Sequence, residues 1–376
     1  MQDYDVAVIG LGAMGSSALF HLARRGVKAV GIERFTPGHD RGSSHGESRA
    51  IRLGYFEHPS YVPLVKAAYA GWRELERLSG EALLTITGIL EASTPDGRLV
   101  AGTLESCLLH GLEHELLTAA EVIRRFPAIS LPAHYTAIWE PEGGFLHADL
   151  ANAVHLRLAR EAGAAVMTER RVSAIEPGVG GVELRLDRET VRAATVVVAA
   201  GPWIGDLVPE LKPHLFVQRQ VLCWYRPKEP KHFALGALPV FAVESEDDIV
   251  YGFPDFAGTG CKCGSHFGSG ILPHADAARQ DAGAADEART RRFLERFVPE
   301  GAGELIGMKT CLYTMTPDED FVIDLSPADP RIVVASPCSG HGYKFASVIG
   351  EILADLATVR ATRHDISRFR IARFQP

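Results

Sequence analysis

The opening run Asp5-Val6-Ala7-Val8-Ile9-Gly10-Leu11-Gly12-Ala13-Met14-Gly15 constrains this chain more than any other segment. An apolar strand leads into a GxGxxG turn, then into the amphipathic stretch Ser16 to Arg25, with Gly26 as its stop. A second apolar segment, Lys28 to Ile32, ends at Glu33. Each part has a mechanical job: Gly10 permits a tight turn, Gly12 lets backbone approach a pyrophosphate, and Gly15 lets helix pack closely on strand. N–H groups exposed at the helix start then face phosphates. Glu33, 18 residues after Gly15, is placed to accept hydrogen bonds from an adenosine ribose and to repel a 2′-phosphate. FAD and NAD both fit this pattern, and it does not separate them.

At 376 residues the chain is long for one core, so two closely packed domains are expected. Hydrophobic residues at 46% and charged residues at 23% suit a globular protein, and a net charge of -8 offers no basic footprint for nucleic acid. The first strand follows Met1 too closely for a signal peptide, and no apolar run approaches the roughly 18 residues of a bilayer span, so a cytoplasmic location without membrane contact is expected. Six cysteines in so long a chain make no disulfide framework. Cys261 and Cys263 lack a second close pair, and no metal site is expected.

The turn-rich segment Pro37 to Gly46 reads as a binding loop. A long helix is expected from Tyr61 towards Leu78, a strand from Ile86 to Ala92, and a capping box at Thr118-Ala119-Ala120-Glu121 opening a short helix. A helix over about Leu150 to Ala162 precedes strands near Ala165 to Thr168 and Arg171 to Ile175, a hairpin of Gly181 to Leu186 with Thr190 to Ala194, and a buried strand Val196 to Ala200. The turn Gly201-Pro202-Trp203 brings backbone towards a cofactor. Strand-like pieces and one helix near Thr290 to Phe297 fill Leu215 to Met308 as a separate layer. Phe321 to Asp324, Ile332 to Ala335, the Ser339-Gly340-His341-Gly342 turn and a helix from about Lys344 to Leu356 return to an α/β pattern, so the nucleotide domain is expected to be completed by the C-terminus. The expected architecture is α/β (α+β), a Rossmann-like nucleotide domain over 1–80, 146–214 and 309–376 with a mixed-sheet substrate domain over 81–145 and 215–308.

Gly42-Ser43-Ser44-His45-Gly46-Glu47-Ser48-Arg49-Ala50-Ile51-Arg52, Tyr251-Gly252-Phe253-Pro254, Lys262 with His266, Cys311-Leu312-Tyr313 with Asp318-Glu319-Asp320-Phe321, and Ser339 to Phe345 stand in an order and at separations that carry a resemblance. The chain resembles the monomeric sarcosine oxidase and N-methyl-L-tryptophan oxidase family of flavoenzymes over nearly its full length. The resemblance implies FAD, with cofactor contacts at Gly10, Gly12, Met14, Gly15, Glu33, Arg34, Ser43, Ser44, Arg49, Val172, Gly201, Trp203, Ser339, Gly340, His341, Gly342 and Lys344. It implies a covalent bond from the Cys311 sulfur to the flavin 8α-methyl. It also implies a carboxylate-binding pair, Arg52 and Lys344, for which a guanidinium fork and an ammonium are chemically suited. Arg49 would lie over the flavin face, and Tyr251 and His266 would line the substrate cavity and orient the amine. Lys262 would lie at the flavin and promote electron transfer to oxygen, as a fixed cation beside developing superoxide should.

Taken without the resemblance, Arg49 and Arg52 read as residues of one helix face paired with Glu47 or Glu57, and Cys311 as a core thiol. Three positions depart from the family pattern: Ser44 and Leu53 replace histidines, and Cys338 stands where phenylalanine is common. The implied activity is FAD-dependent oxidation of a secondary, N-methyl amino acid, with oxygen reduced to hydrogen peroxide and an imine hydrolysed to formaldehyde and the demethylated amino acid, by a monomer. Two alternatives stay open, an FAD dehydrogenase using another acceptor and a non-catalytic nucleotide-binding sensor.

Overall fold

The computed structural model describes residues 2–187, 189–267, 270–277 and 282–374. An eight-stranded sheet holds the nucleotide unit, with Gln2–Ile9 paired in parallel to Ala29–Ile32 on one side and to Thr190–Val198 on the other. Ala165–Met167 extends the Ala29–Ile32 edge, while Ile332–Ser336 joins Thr190–Val198 in parallel. The helices Ala13–Arg24, Ala148–Glu161 and Ala346–Val359 pack together on this layer. Val8, Leu19, Phe20, Ile349 and Leu353 are buried in one cluster there, each contributing roughly 1.5–3 kcal/mol by leaving water.

A nine-stranded mixed sheet forms the second layer. Its centre runs Phe216–Arg226, Cys261–Ser265, Ile249–Phe253, Val240–Glu244, Ile89–Ser93, Thr136–Glu140. Glu304–Met315 pairs along Phe216–Arg226 on its other edge. The boundary expected at 309 therefore falls inside one continuous strand that belongs to this second sheet. A three-stranded sheet of Ser48–Ile51, Gly144–His147 and Leu84–Ile86 lies between the two layers in the chain path and carries the loop 42–52.

Several expected elements take different bounds. The segment Ile86 to Ala92 divides into Leu84–Ile86 and Ile89–Ser93 because Gly88, at φ +70°, turns the chain between two sheets. The strands expected at Thr190 to Ala194 and Val196 to Ala200 are one strand, Thr190–Val198, whose first half faces the Gly181–Leu186 hairpin and whose second half faces Ile332–Ser336. Arg49 and Arg52 are not on a helix: Ser48–Ile51 is a strand held by Gly144–His147. The helix Arg98–His110 was not expected, since its N-cap Gly97 gives no side-chain capping signal. The Thr118–Glu121 capping box opens Ala119–Arg125 as expected. Among the described residues no helix is long and apolar enough to cross a membrane.

Candidate active site

One cavity of about 360 Å³ runs between the layers, from Glu33 and Arg34 past the glycine turn to His266 and Lys344. At the nucleotide end Gly10 has φ +85°, and a Cβ there would stand 2.6 Å from the Ala199 carbonyl oxygen. A Cβ on Gly15 would stand 1.8 Å from the Gly10 carbonyl oxygen, so Gly15 is buried packing rather than cavity wall. Glu33 accepts hydrogen bonds from the Leu11 N–H (2.8 Å) and the Phe35 N–H (3.0 Å). Burial pushes its carboxyl up, but His39 and these two N–H groups outweigh that and hold it below the usual carboxylate range. The Ala13 N–H is bound by Ser44 Oγ at 3.0 Å. Two N–H groups of this glycine turn and helix start therefore have protein partners, which corrects the expectation that they stand open to phosphates.

Met14, Val172 and Gly201 line the cavity, as do Arg34 and Trp203. Asp276, not singled out by the sequence, joins the last two: Arg34 Nη1 donates to both its oxygens at 3.0 and 3.1 Å, and Trp203 Nε1 to one at 2.8 Å.

In the middle of the cavity Arg49 stitches the loop 43–48 together. It donates to the carbonyls of Ser43 (3.1 Å), Ser48 (2.9 Å) and His45, while the Ser43 hydroxyl donates to the Leu312 carbonyl. Cys311 Sγ lies 3.9 Å from Arg49 Nη2. Burial pushes the Cys311 thiol up, against the pull of Arg49 and Lys262. Cys311 is buried with Leu222 and Trp224, with Tyr251 packed against them.

Lys262 is buried too, 2% exposed. Its Nζ donates to the carbonyls of Gly46 and Ser48, both at 2.6 Å, and to Ser48 Oγ at 3.2 Å. Burial, then the Arg49 charge, pushes its ammonium well below the usual lysine range. These donors hold the loop that carries Arg49.

The C-terminal turn is closed on its own backbone. His341 N–H and Gly342 N–H both donate to the Cys338 carbonyl at 3.1 Å, and a 3₁₀ turn, Tyr343–Phe345, precedes the helix Ala346–Val359. Gly340, His341, Gly342 and Lys344 line the cavity, whereas Ser339 is buried beneath, its Oγ accepting from the Thr316 N–H. A Cβ on Gly340, at φ +79°, would stand 2.6 Å from the Tyr313 ring.

At the far end Arg52, Tyr251, His266 and Lys344 converge, so the structure brings together residues from four separate segments. Burial drives the His266 imidazole down to about 4, leaving it neutral, and pushes the Tyr251 phenol up. Lys344 Nζ donates to the His341 carbonyl at 2.7 Å, and burial with the Arg52 charge pushes it down to about 7. Arg52 is stacked between Tyr55 and Phe56 at 4.9 Å from each ring centre. Its Nη2 donates to Glu57 Oε2 at 2.8 Å and its Nε lies 3.0 Å from Glu91 Oε1. Glu57 was named in sequence as a partner for Arg52; Glu91 was not, although an acid inside the apolar strand Ile89–Ser93 is a signal that could have found it.

Residues 5–356 match the FAD dependent oxidoreductase family, and the chain is 39% identical to the monomeric sarcosine oxidase of Bacillus sp. (strain NS-129) over 98% of its own length and 97% of the relative's. The chain belongs to the sarcosine oxidase family of FAD-dependent oxidoreductases. Within this family it is also 36% identical to the N-methyl-L-tryptophan oxidase of Yersinia pestis (strain Pestoides F), covering 99% of this chain and 100% of that one. The solved structure of NikD, an unusual amino acid oxidase essential for nikkomycin biosynthesis, superposes with a TM-score of 0.87 at 28% identity, with 98% of each chain covered. A glycine oxidase from Geobacillus kaustophilus, at 22% identity and TM-score 0.80, shares the fold over the whole of both chains.

The cavity fits the family's FAD. It has a carboxylate at one end, a close-packed glycine turn beside it, and cationic side chains at the other end. The buried His45 lines it with both ring nitrogens lacking a hydrogen-bond partner among the described residues.

Proposed function

We propose that this enzyme oxidises a secondary amino acid, an N-methyl amino acid in the first instance, and passes the electrons to oxygen. The observation that carries this reading is the convergence of Arg52, Lys344, Tyr251 and His266 at the end of the cavity opposite Glu33. A cationic pair there suits a substrate carboxylate, and burial of both side chains strengthens that attraction by excluding water. Neutral His266 offers an acceptor nitrogen to an amine N–H. Apolar neighbours such as Leu99, Ala242 and Ile249 exclude water from the reacting carbon. FAD, when bound, supplies the hydride acceptor and the site at which oxygen is reduced to hydrogen peroxide. The names of the two relatives support an N-methyl group as the one oxidised, with formaldehyde and the demethylated amino acid as products after imine hydrolysis. The amine reacts as its neutral base, because a protonated nitrogen has no lone pair to assist hydride loss.

Cys311 is the proposed covalent anchor for the flavin. Acid-precipitated protein should stay yellow, and a supernatant carrying all the flavin would reject the link. Lys262 is the proposed cation for oxygen activation, and the enzyme is proposed to work as a monomer, which size-exclusion chromatography with light scattering checks. The reading as a whole is tested by mixing the enzyme under nitrogen with sarcosine, N-methyltryptophan, other N-methyl amino acids and pipecolate. Bleaching of the flavin by one of them is expected; no bleaching by any N-alkyl or cyclic amino acid would reject the class. Comparing turnover with oxygen against a dye then separates oxidase from dehydrogenase.

A further inference from the structure

The two cations at the substrate end are already balanced by two acids. Arg52 and Lys344 face Glu57 and Glu91, all buried at the end of the same cavity. The two Arg52 contacts differ in kind. Nη2 and Glu57 Oε2 make a 2.8 Å hydrogen bond, whereas Nε and Glu91 Oε1 approach to 3.0 Å with neither atom in hydrogen-bond geometry to any partner. Glu91 Oε2 accepts from Thr103 Oγ1 at 2.6 Å, so one oxygen is satisfied and the other is buried beside Arg52 without a hydrogen bond.

We propose that Glu91 sets the charge of this subsite: Arg52 accepts the substrate carboxylate together with a proton on Glu91, so binding an anionic amino acid takes up one proton from solvent. The inference rests on Arg52 and Lys344 being the carboxylate clamp. Adding a third carboxylate to two buried cations and two buried anions leaves a surplus negative charge, and clustered buried carboxylates relieve that by holding a proton. Glu91 then becomes a donor, able to hydrogen-bond an acceptor such as the incoming carboxylate.

The other groups around Glu91 are unsuited to this role. Glu57 is held down to about 2, since Arg52, His341 and Lys344 outweigh its burial. Glu140, on the neighbouring strand, accepts from the Gly54 N–H at 2.6 Å and is pushed up to about 8 by burial and then by Glu91, so it is already protonated near neutrality and makes no contact with Arg52. Tyr55 is pushed well up by burial, and Cys107 on the helix Arg98–His110 is pushed up to about 12 by the same cause, so both stay neutral. From the strand Val240–Glu244 the residue opposite Glu91 is the uncharged Ala242. His341 and His266 are both driven down to about 4 by burial. Burial raises Glu91 itself, against the pull of Arg52, and among the described residues it is the acid besides Glu57 that Arg52 contacts. Lys344 loses charge in the same direction as pH rises, so the test removes it.

The probe is methoxyacetate, which has the carboxylate of N-methylglycine and an ether oxygen in place of the titrating amine. Its Kd is measured from perturbation of the flavin spectrum of the holoenzyme between about pH 6 and about pH 10. In Lys344→Met the Kd should rise by up to about tenfold per pH unit over the window in which Glu91 ionises. Adding Glu91→Gln, which keeps the acceptor for Thr103, should flatten the profile and tighten binding at high pH. A profile unmoved by Glu91→Gln, or flattened instead by Glu140→Gln or Glu57→Gln, overturns the proposal. Should Glu91→Gln fail to fold, calorimetry of Lys344→Met in two buffers of different ionisation enthalpy decides: uptake of close to one proton supports the proposal, and no uptake overturns it. If neither Arg52→Gln nor Lys344→Met weakens methoxyacetate binding, the clamp itself is rejected, a result distinct from failure at Glu91 alone.

Discussion

At the glycine-turn end of the cavity Gly10, Gly12, Gly15 and Glu33 lie in one strand–turn–helix–strand unit; at the end proposed for substrate Arg52, Glu91, Tyr251, His266 and Lys344 come from five segments spread over most of the chain. The first end works through backbone: tight approach at Gly10 and Gly15, and N–H groups of Leu11 and Phe35 on one carboxylate. The second works through buried side-chain charge, Arg52 between Glu57 and Glu91, with Lys344 beside it. A backbone device tolerates no added atom, whereas a charge cluster tolerates isosteric change in shape but responds sharply to a change in charge.

The largest effect that tests this contrast is expected at Gly15→Ala. A Cβ 1.8 Å from the Gly10 carbonyl oxygen must move strand or helix, an overpacking cost of at least about 1–3 kcal/mol, and purified protein should carry little flavin by its absorbance ratio. Normal flavin content in this variant would break the backbone account. Arg52→Gln, at the other end, should keep flavin and lose roughly 30- to 1000-fold in kcat/KM, the range for removing one partner of a buried charge pair. Loss of flavin in step with activity would show that the two ends are not separable.

Lys262→Met sharpens the comparison between loop and cavity. Reduction of the flavin by substrate should be largely kept while reoxidation by oxygen slows by roughly 100-fold, measured by stopped-flow. An unchanged reoxidation rate with a lowered Tm would leave Lys262 as the cation that holds Gly46 and Ser48. A smaller effect is expected from Glu57→Gln on stability. Because Arg52, His341 and Lys344 outweigh burial and hold the Glu57 carboxyl down to about 2 in the folded protein, its contribution is fully present above the ordinary glutamate range of about 4.3 and lost as pH falls towards 2. It is on the order of a few kcal/mol. Denaturation of the variant and parent should therefore differ at neutral pH and converge in acid; a constant gap at all pH values would reject the ion pair as its cause.

The legibility of these parts in the sequence follows the same division. The glycine turn, Glu33 directly after the second strand and the Thr118–Glu121 capping box are all local, and each appears in the structure at the positions read from sequence. Bounds were lost where a long-range partner decides them. Thr190–Val198 is one strand because two different neighbours use its two halves, and Gly88 splits a continuous apolar run because its flanks join different sheets. The same limit hid Glu91 and Asp276, whose partners Arg52 and Arg34 are distant in the chain.

The sequence by itself determined the family, the dinucleotide unit and the set of cations at the far end of the cavity, because motifs fix backbone geometry over a few residues and residue identity fixes charge. Only the tertiary structure decided how those charges are used. It sets the Lys262 ammonium on the carbonyls of Gly46 and Ser48, and it brings Glu57 and Glu91 onto Arg52. Burial then shifts Lys344 and Glu91 away from their ordinary titration ranges, and burial depends on the packing of both layers, which no local segment encodes.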